Sequence, residues 1–111
     1  MRQCRDRPEG VPIGIHFEWD DAKAAENLRK HSLSFADVCT LFTSGVEYLE
    51  IYDLEHSLDE DRFICIGPIA RGIVLVVVVD VAEDLIRIIS ARRATRRESS
   101  LYADFLEGRV R

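Results

Sequence analysis

The sequence predicts an α+β fold built on a small antiparallel sheet, and three observations carry that prediction. Apolar residues recur with a period of two in some stretches and with a helical period in others. The elements follow in the order strand, two helices, four strands, helix. The four consecutive strands are joined by short polar connections, which makes neighbours antiparallel. At 111 residues, 47% hydrophobic and 32% charged, the chain has the size and composition of one folded domain. Residues 15–111 are assigned to that domain and residues 1–14, with Pro8, Gly10, Pro12 and Gly14, to a mobile leader.

The first strand is IHFEW (15–19), where Ile15, Phe17 and Trp19 share a face. Asp20 or Asp21 then caps a helix, DAKAAENLRKH, with acids at its start and Arg29, Lys30 and His31 in its last turn, as the helix dipole favours. Ala22, Ala25 and Leu28 form its expected apolar stripe. The second helix, in SLSFADVCTLF, opens on Ser34 and Asp37 at N-cap spacing and carries Phe35, Val38, Leu41 and Phe42. Strands follow at 46–53, 61–67, 73–81 and 84–92; IVLVVVV (73–79) reads as a central strand buried on both faces. The last helix starts at Thr95, with Glu98 completing a capping box, and presents Leu101, Tyr102, Phe105 and Leu106 on one face.

Composition narrows the function. No apolar run approaches the ~18–20 residues that span a bilayer, and the first dozen residues lack the apolar core of a secretory signal. Cys4, Cys39 and Cys65 match neither a disulfide framework nor a metal-binding spacing, and Cys39 and Cys65 read as buried thiols. The expectation is a cytoplasmic protein with no membrane partner.

The net charge of −5 hides an asymmetry. Residues 32–61 hold eight acids and no lysine or arginine, whereas residues 87–111 carry a net +4. Arg87, Arg92, Arg93, Arg96 and Arg97 fall where a strand runs into a helix. A helix N-terminus with free N–H groups, joined by guanidinium forks, makes an anion site.

Taken together, HFEWDDAKAAENLRKHSLSF, DLEHSLDEDRFICIG and IRIISARRATRRE resemble the BrnT family of ribonuclease toxins of type II toxin–antitoxin systems, from about His16 to Tyr102. The resemblance implies a RelE-like fold and a metal-independent endoribonuclease, without cofactor, that cleaves RNA and slows growth. It implies a ribbon-helix-helix antitoxin, a toxin–antitoxin heterotetramer, and contact with operator DNA only through that antitoxin. The chain departs from the family pattern at Ser32, where glycine is frequent, and at Val79 and Asp80, where an aromatic residue is frequent.

Metal-free RNA cleavage needs a group to take the 2′-OH proton, cations to hold charge on the phosphorus, and a proton for the leaving oxygen. Arginine suits the second task and, never deprotonated, fails the first. Arg92 and Arg93 are assigned to the scissile phosphate and Arg96 and Arg97 to adjacent phosphates, the alternative being a solvated face partly ion-paired with the acidic 47–61 region; His31 is assigned to proton transfer or else only caps its helix, with His56 second and Glu98 either a base or only a cap. Arg62 either joins the catalytic set or pairs with Glu60 and Asp61. Lys30 is assigned as a phosphate contact, Lys23 is either another or only a surface lysine, and Trp19 either stacks a base or packs in the core. The rival readings are a non-catalytic module that only binds its antitoxin and takes part in operon autoregulation, and a metal-dependent hydrolase built on His56, Asp59 and Glu60.

Overall fold

The computed structural model describes residues 2–4 and 15–108. Its strands are β1 (Arg2–Cys4), β2 (His16–Trp19), β3 (Leu49–Tyr52), β4 (Asp61–Ile69), β5 (Gly72–Ala82) and β6 (Leu85–Arg93). Its helices are α1 (Asp21–His31), α2 (Phe35–Val38), α3 (Thr40–Thr43) and α4 (Arg96–Leu106). Arg2–Cys4 thus adds a strand where the sequence suggested only a leader, and residues 5–14 lie outside the described residues.

The strands form one sheet in the order β1-β2-β6-β5-β4-β3. β3 to β6 are an antiparallel meander, as their short connections predict; Ala70 and Arg71 alone separate β4 from β5. The sheet is nevertheless mixed and not purely antiparallel, because β2 runs parallel to β6, Phe17 facing Ile86. Three helices separate β2 from the meander, so no tight turn dictates its direction.

The alternation along β5 distributes the core. Val74, Val76 and Val78 join Phe17, Trp19, Leu33, Phe35, Val38 and Ile88 in the cluster formed with α2 and its flanking loop. Leu75, with Ile73 and Val77 at its edge, joins Ile66 and Tyr102 in a smaller cluster beneath α4. Tyr102 ties α4 down by donating its hydroxyl to the Glu47 carbonyl at 2.6 Å. Gly67 is required by close approach: a Cβ there would stand 2.6 Å from Leu41 Cδ1 and 2.8 Å from Tyr48 Cβ.

Two expectations are corrected. The second helix is broken at Cys39, because the Thr40 hydroxyl takes the Asp37 carbonyl (2.6 Å) and the Thr43 hydroxyl takes that of Cys39 (3.2 Å), in competition with the helical ladder. The inner face of α1 is also not the stripe of Ala22, Ala25 and Leu28, all of which are exposed. Asn27, only 6% exposed, faces the sheet instead, with Ala24 packed beside it.

α1 ends at Ser32, which takes up φ 57° and ψ 29° and donates its N–H to the Leu28 carbonyl. A side chain in the left-handed region is strained, which is why glycine usually fills this cap. Ser32→Gly is therefore expected to stabilise the fold by about 1 kcal/mol, raising Tm by several degrees; a lower Tm contradicts this account of the cap.

Candidate active site

Two elements meet at the C-terminal end of β6. Arg92 and Arg93 are consecutive strand residues, so their side chains leave on opposite faces. Arg92 faces Leu75 and the α4 side; Arg93 faces Val74 and the opposite core. The chain then turns into α4 through a complete capping box: the Glu98 N–H donates to Thr95 Oγ1 (3.2 Å) and the Thr95 N–H to Glu98 Oε1 (2.8 Å). Glu98 also holds the Arg92 guanidinium in a two-pronged pair, Nη1 to Oε1 at 2.8 Å and Nη2 to Oε2 at 2.9 Å. The Arg92 hydrogen bond, helped by Thr95, pulls the Glu98 carboxyl down to about 2. A carboxylate so acidic and so fully engaged is no base near neutral pH, which decides for Glu98 as a cap.

The second element is the end of α1. Beyond Arg87, β2 no longer pairs with β6, so the outer edge of β6 needs other hydrogen-bond partners. Asn27 supplies one: its Oδ1 accepts the Ala91 N–H (3.0 Å) while its Nδ2 donates to the Leu33 carbonyl (3.2 Å). α1 is thereby fixed to the strand at Ala91, the residue immediately before Arg92. Arg71 closes the far side, its Nη1 donating to the Ser32 carbonyl (3.2 Å) while its own carbonyl accepts from Arg93 Nη1 (2.7 Å).

The result is an open cleft of about 620 Å³ lined by Lys30, His31, Ser32, Arg92, Arg93 and Thr95. A second hollow of about 190 Å³ shares Lys30 and His31 and adds Lys23, Glu26, Asn27, Ile89 and Ser90. Lys30 pairs with Glu26 at 2.9 Å, both side chains more than half exposed, so a phosphate competes with only a weak surface ion pair. Arg96 and Arg97 are exposed in the first turn of α4, after Thr95.

The other named residues stand apart. Trp19 is buried at 5% exposure with its ring edge-on to Phe35 (5.9 Å, 78°), a core position. Arg62 faces Val79, four residues along β5 from the Leu75 that faces Arg92, or about 13 Å. There Arg87 pairs with Glu18 (2.9 Å), and Glu60 lies 3.7 Å from both Arg87 and Arg62. Val79, where an aromatic residue was the family expectation, is 1% exposed between these two arginines in register. His56 Nδ1 is 2.9 Å from Asp53 Oδ2, and His16 is a strand residue of β2 opposite Leu85. Among the described residues, no group of three or more His, Cys, Asp or Glu is placed to hold a metal ion.

Sequence reasoning missed Asn27, Ser32, Arg71 and Thr95 as builders of this cleft. For Asn27 there was a signal: it follows Ala24 by three positions on one side of the helix. Arg71 gave none, since its partners are far along the chain.

The family model for the BrnT ribonuclease toxin of type II toxin–antitoxin systems matches residues 19–98. Among solved structures, the chain is similar to the Brucella abortus ribonuclease toxin BrnT, with a TM-score of 0.54 and 26% identity, covering 72% of this chain and 96% of that one. No curated protein sequence matches.

Proposed function

The chain belongs to the family of BrnT ribonuclease toxins of type II toxin–antitoxin systems, and from that premise we propose that it is a metal-independent endoribonuclease working in the cleft at the end of β6. The observation that carries the proposal is the open space lined by Lys30, His31 and Arg93, which Arg92 borders from the other face of the sheet. Arg93 and Lys30 bind the non-bridging oxygens of the scissile phosphate and hold the charge that grows on them. Arg92, steadied by Glu98, presents a fixed cation on the opposite side. His31 moves the proton, as base toward the 2′-OH or as acid toward the leaving group, a task suited to imidazole near neutral pH. The 2′-oxygen loses its proton and attacks phosphorus, and the 5′-oxygen departs and gains a proton. The products are a 2′,3′-cyclic phosphate and a 5′-hydroxyl. Lys23, Arg96 and Arg97 hold flanking phosphates.

In this reading the toxin cuts cytoplasmic RNA, so that translation and growth fall. A ribbon-helix-helix antitoxin neutralises it in a heterotetramer that reaches operator DNA through the antitoxin. The fold is read as RelE-like. The test is RNA cleavage by antitoxin-free protein in the presence of chelator, alongside growth on expression. Cleavage with cyclic-phosphate ends is expected; a chain that neither cuts RNA nor arrests growth overturns the proposal. Arg92→Ala is expected to lower cleavage about 10²–10³-fold and stability by about 1–2 kcal/mol, because the pair with Glu98 is two-pronged and part-buried.

One observation favours a second reading, a non-catalytic module that binds its antitoxin: Arg92 already spends both Nη groups on Glu98. Expression alone separates the two, arresting growth in the first and harmless in the second.

A further inference from the structure

β3 is the last strand of the sheet, and among the described residues no strand pairs with its outer edge. The Asp53 N–H donates to the Arg62 carbonyl at 2.8 Å, and antiparallel alternation then turns the N–H and C=O groups of Glu50 and Tyr52 outward. Edge strands are blunted by shortness, charge, lysine, proline or a bulge; β3 is four residues long and carries Glu50, but it has no lysine, proline or bulge, and its pairing with β4 is regular. Ile51 and Tyr52 are instead 37% and 43% exposed, and the loop that follows shows Leu54 at 79% and Leu58 at 94%.

The charge around this edge selects its occupant. Residues 32–61 carry eight acids and no lysine or arginine, so RNA is repelled. A second copy of the chain paired edge to edge would bring Glu50 and its acidic neighbours against their own kind, which is destabilising. An extended segment with basic and apolar side chains satisfies all three features: backbone groups, exposed apolar surface and negative charge.

We propose that the outer edge of β3, with the 53–60 loop, docks an extended segment of the antitoxin in which lysine or arginine alternates with apolar residues. This rests on the toxin–antitoxin reading above. β4 and β5 lie between this edge and β6, so the anchor is about 14 Å across the sheet from the strand that bears the cleft. The antitoxin is thus held by a surface separate from the one it must block.

The experiment compares amide hydrogen exchange across 49–52 in the free protein and in its complex with the co-expressed antitoxin. It is joined by the variant Leu54→Lys/Leu58→Lys, whose positions are too exposed to disturb folding. Protection of the Glu50 and Tyr52 amides in the complex is expected, together with about tenfold weaker antitoxin binding by the variant and unchanged cleavage by the variant alone. An antitoxin that binds without protecting these amides overturns the inference and leaves the family reading standing. Protection that rises with protein concentration and needs no antitoxin identifies a second copy as the occupant and also overturns it. A chain that takes up no antitoxin overturns both.

Discussion

His31→Gln is expected to lower RNA cleavage by about 10²–10⁴-fold, the usual range for loss of a positioned acid or base, and to leave the unfolding midpoint in place. His31 is the one imidazole among the residues lining the cleft and its adjoining hollow. It is exposed in the last turn of α1, outside both apolar clusters. Glutamine keeps much of the size and hydrogen-bonding capacity of the side chain and removes the ability to exchange a proton near neutral pH. The loss should therefore fall on kcat. His56→Gln is the control: that imidazole is held by Asp53 in the acidic loop, in a hollow it shares with Arg62 and not with Arg92 or Arg93, and the change should leave cleavage intact. Full activity in His31→Gln would move the proton transfer to another group.

The largest effect on stability is expected from Asn27→Leu. The two side chains share a branched shape and the same number of heavy atoms, so no cavity is left, and any overpacking by the bulkier methyl groups adds to the loss. What is lost is the acceptor for the Ala91 N–H and the donor for the Leu33 carbonyl, both in a buried setting. Leaving two such groups unpaired costs about 2–4 kcal/mol in total. Urea unfolding should show a lower midpoint with unchanged slope. Because the same bonds fix α1 against β6, the folded fraction should also cut RNA more slowly, with Lys30 and His31 less firmly held opposite Arg93. A shift below about 0.5 kcal/mol, the scatter of ordinary surface substitutions, contradicts the role given to Asn27.

What the sequence revealed was local. Thr95 and Glu98 stand three residues apart and form the capping box that starts α4, because a cap is set by neighbours along the chain. The meander of β3 to β6 followed from short connections for the same reason. What stayed hidden depended on distant partners. Nothing near β2 states that Phe17 will lie beside Ile86, so its parallel direction was not legible. The face of α1 was misjudged because hydropathy favoured Leu28, now 51% exposed, over an asparagine whose partner lies 64 residues away. In the cleft, charge clustering brought Arg92 and Arg93 to notice, and a place beside Lys30 at the end of a helix singled out His31. Arg62 shared the residue type but not the place, since only strand register reveals that it stands opposite Val79. The grip of Glu98 on Arg92 was also invisible, because it crosses the turn from strand to helix.

The central claim is that the cationic cleft between the end of α1 and the start of α4 cuts RNA. Single-turnover RNA cleavage in excess chelator, run on the native chain, Arg93→Ala and Arg62→Ala, tests it most directly. The account predicts cleavage by the native chain, near-complete loss in Arg93→Ala, and activity close to native in Arg62→Ala. Cleavage that survives Arg93→Ala but disappears in Arg62→Ala, or that chelator abolishes in the native chain, contradicts it.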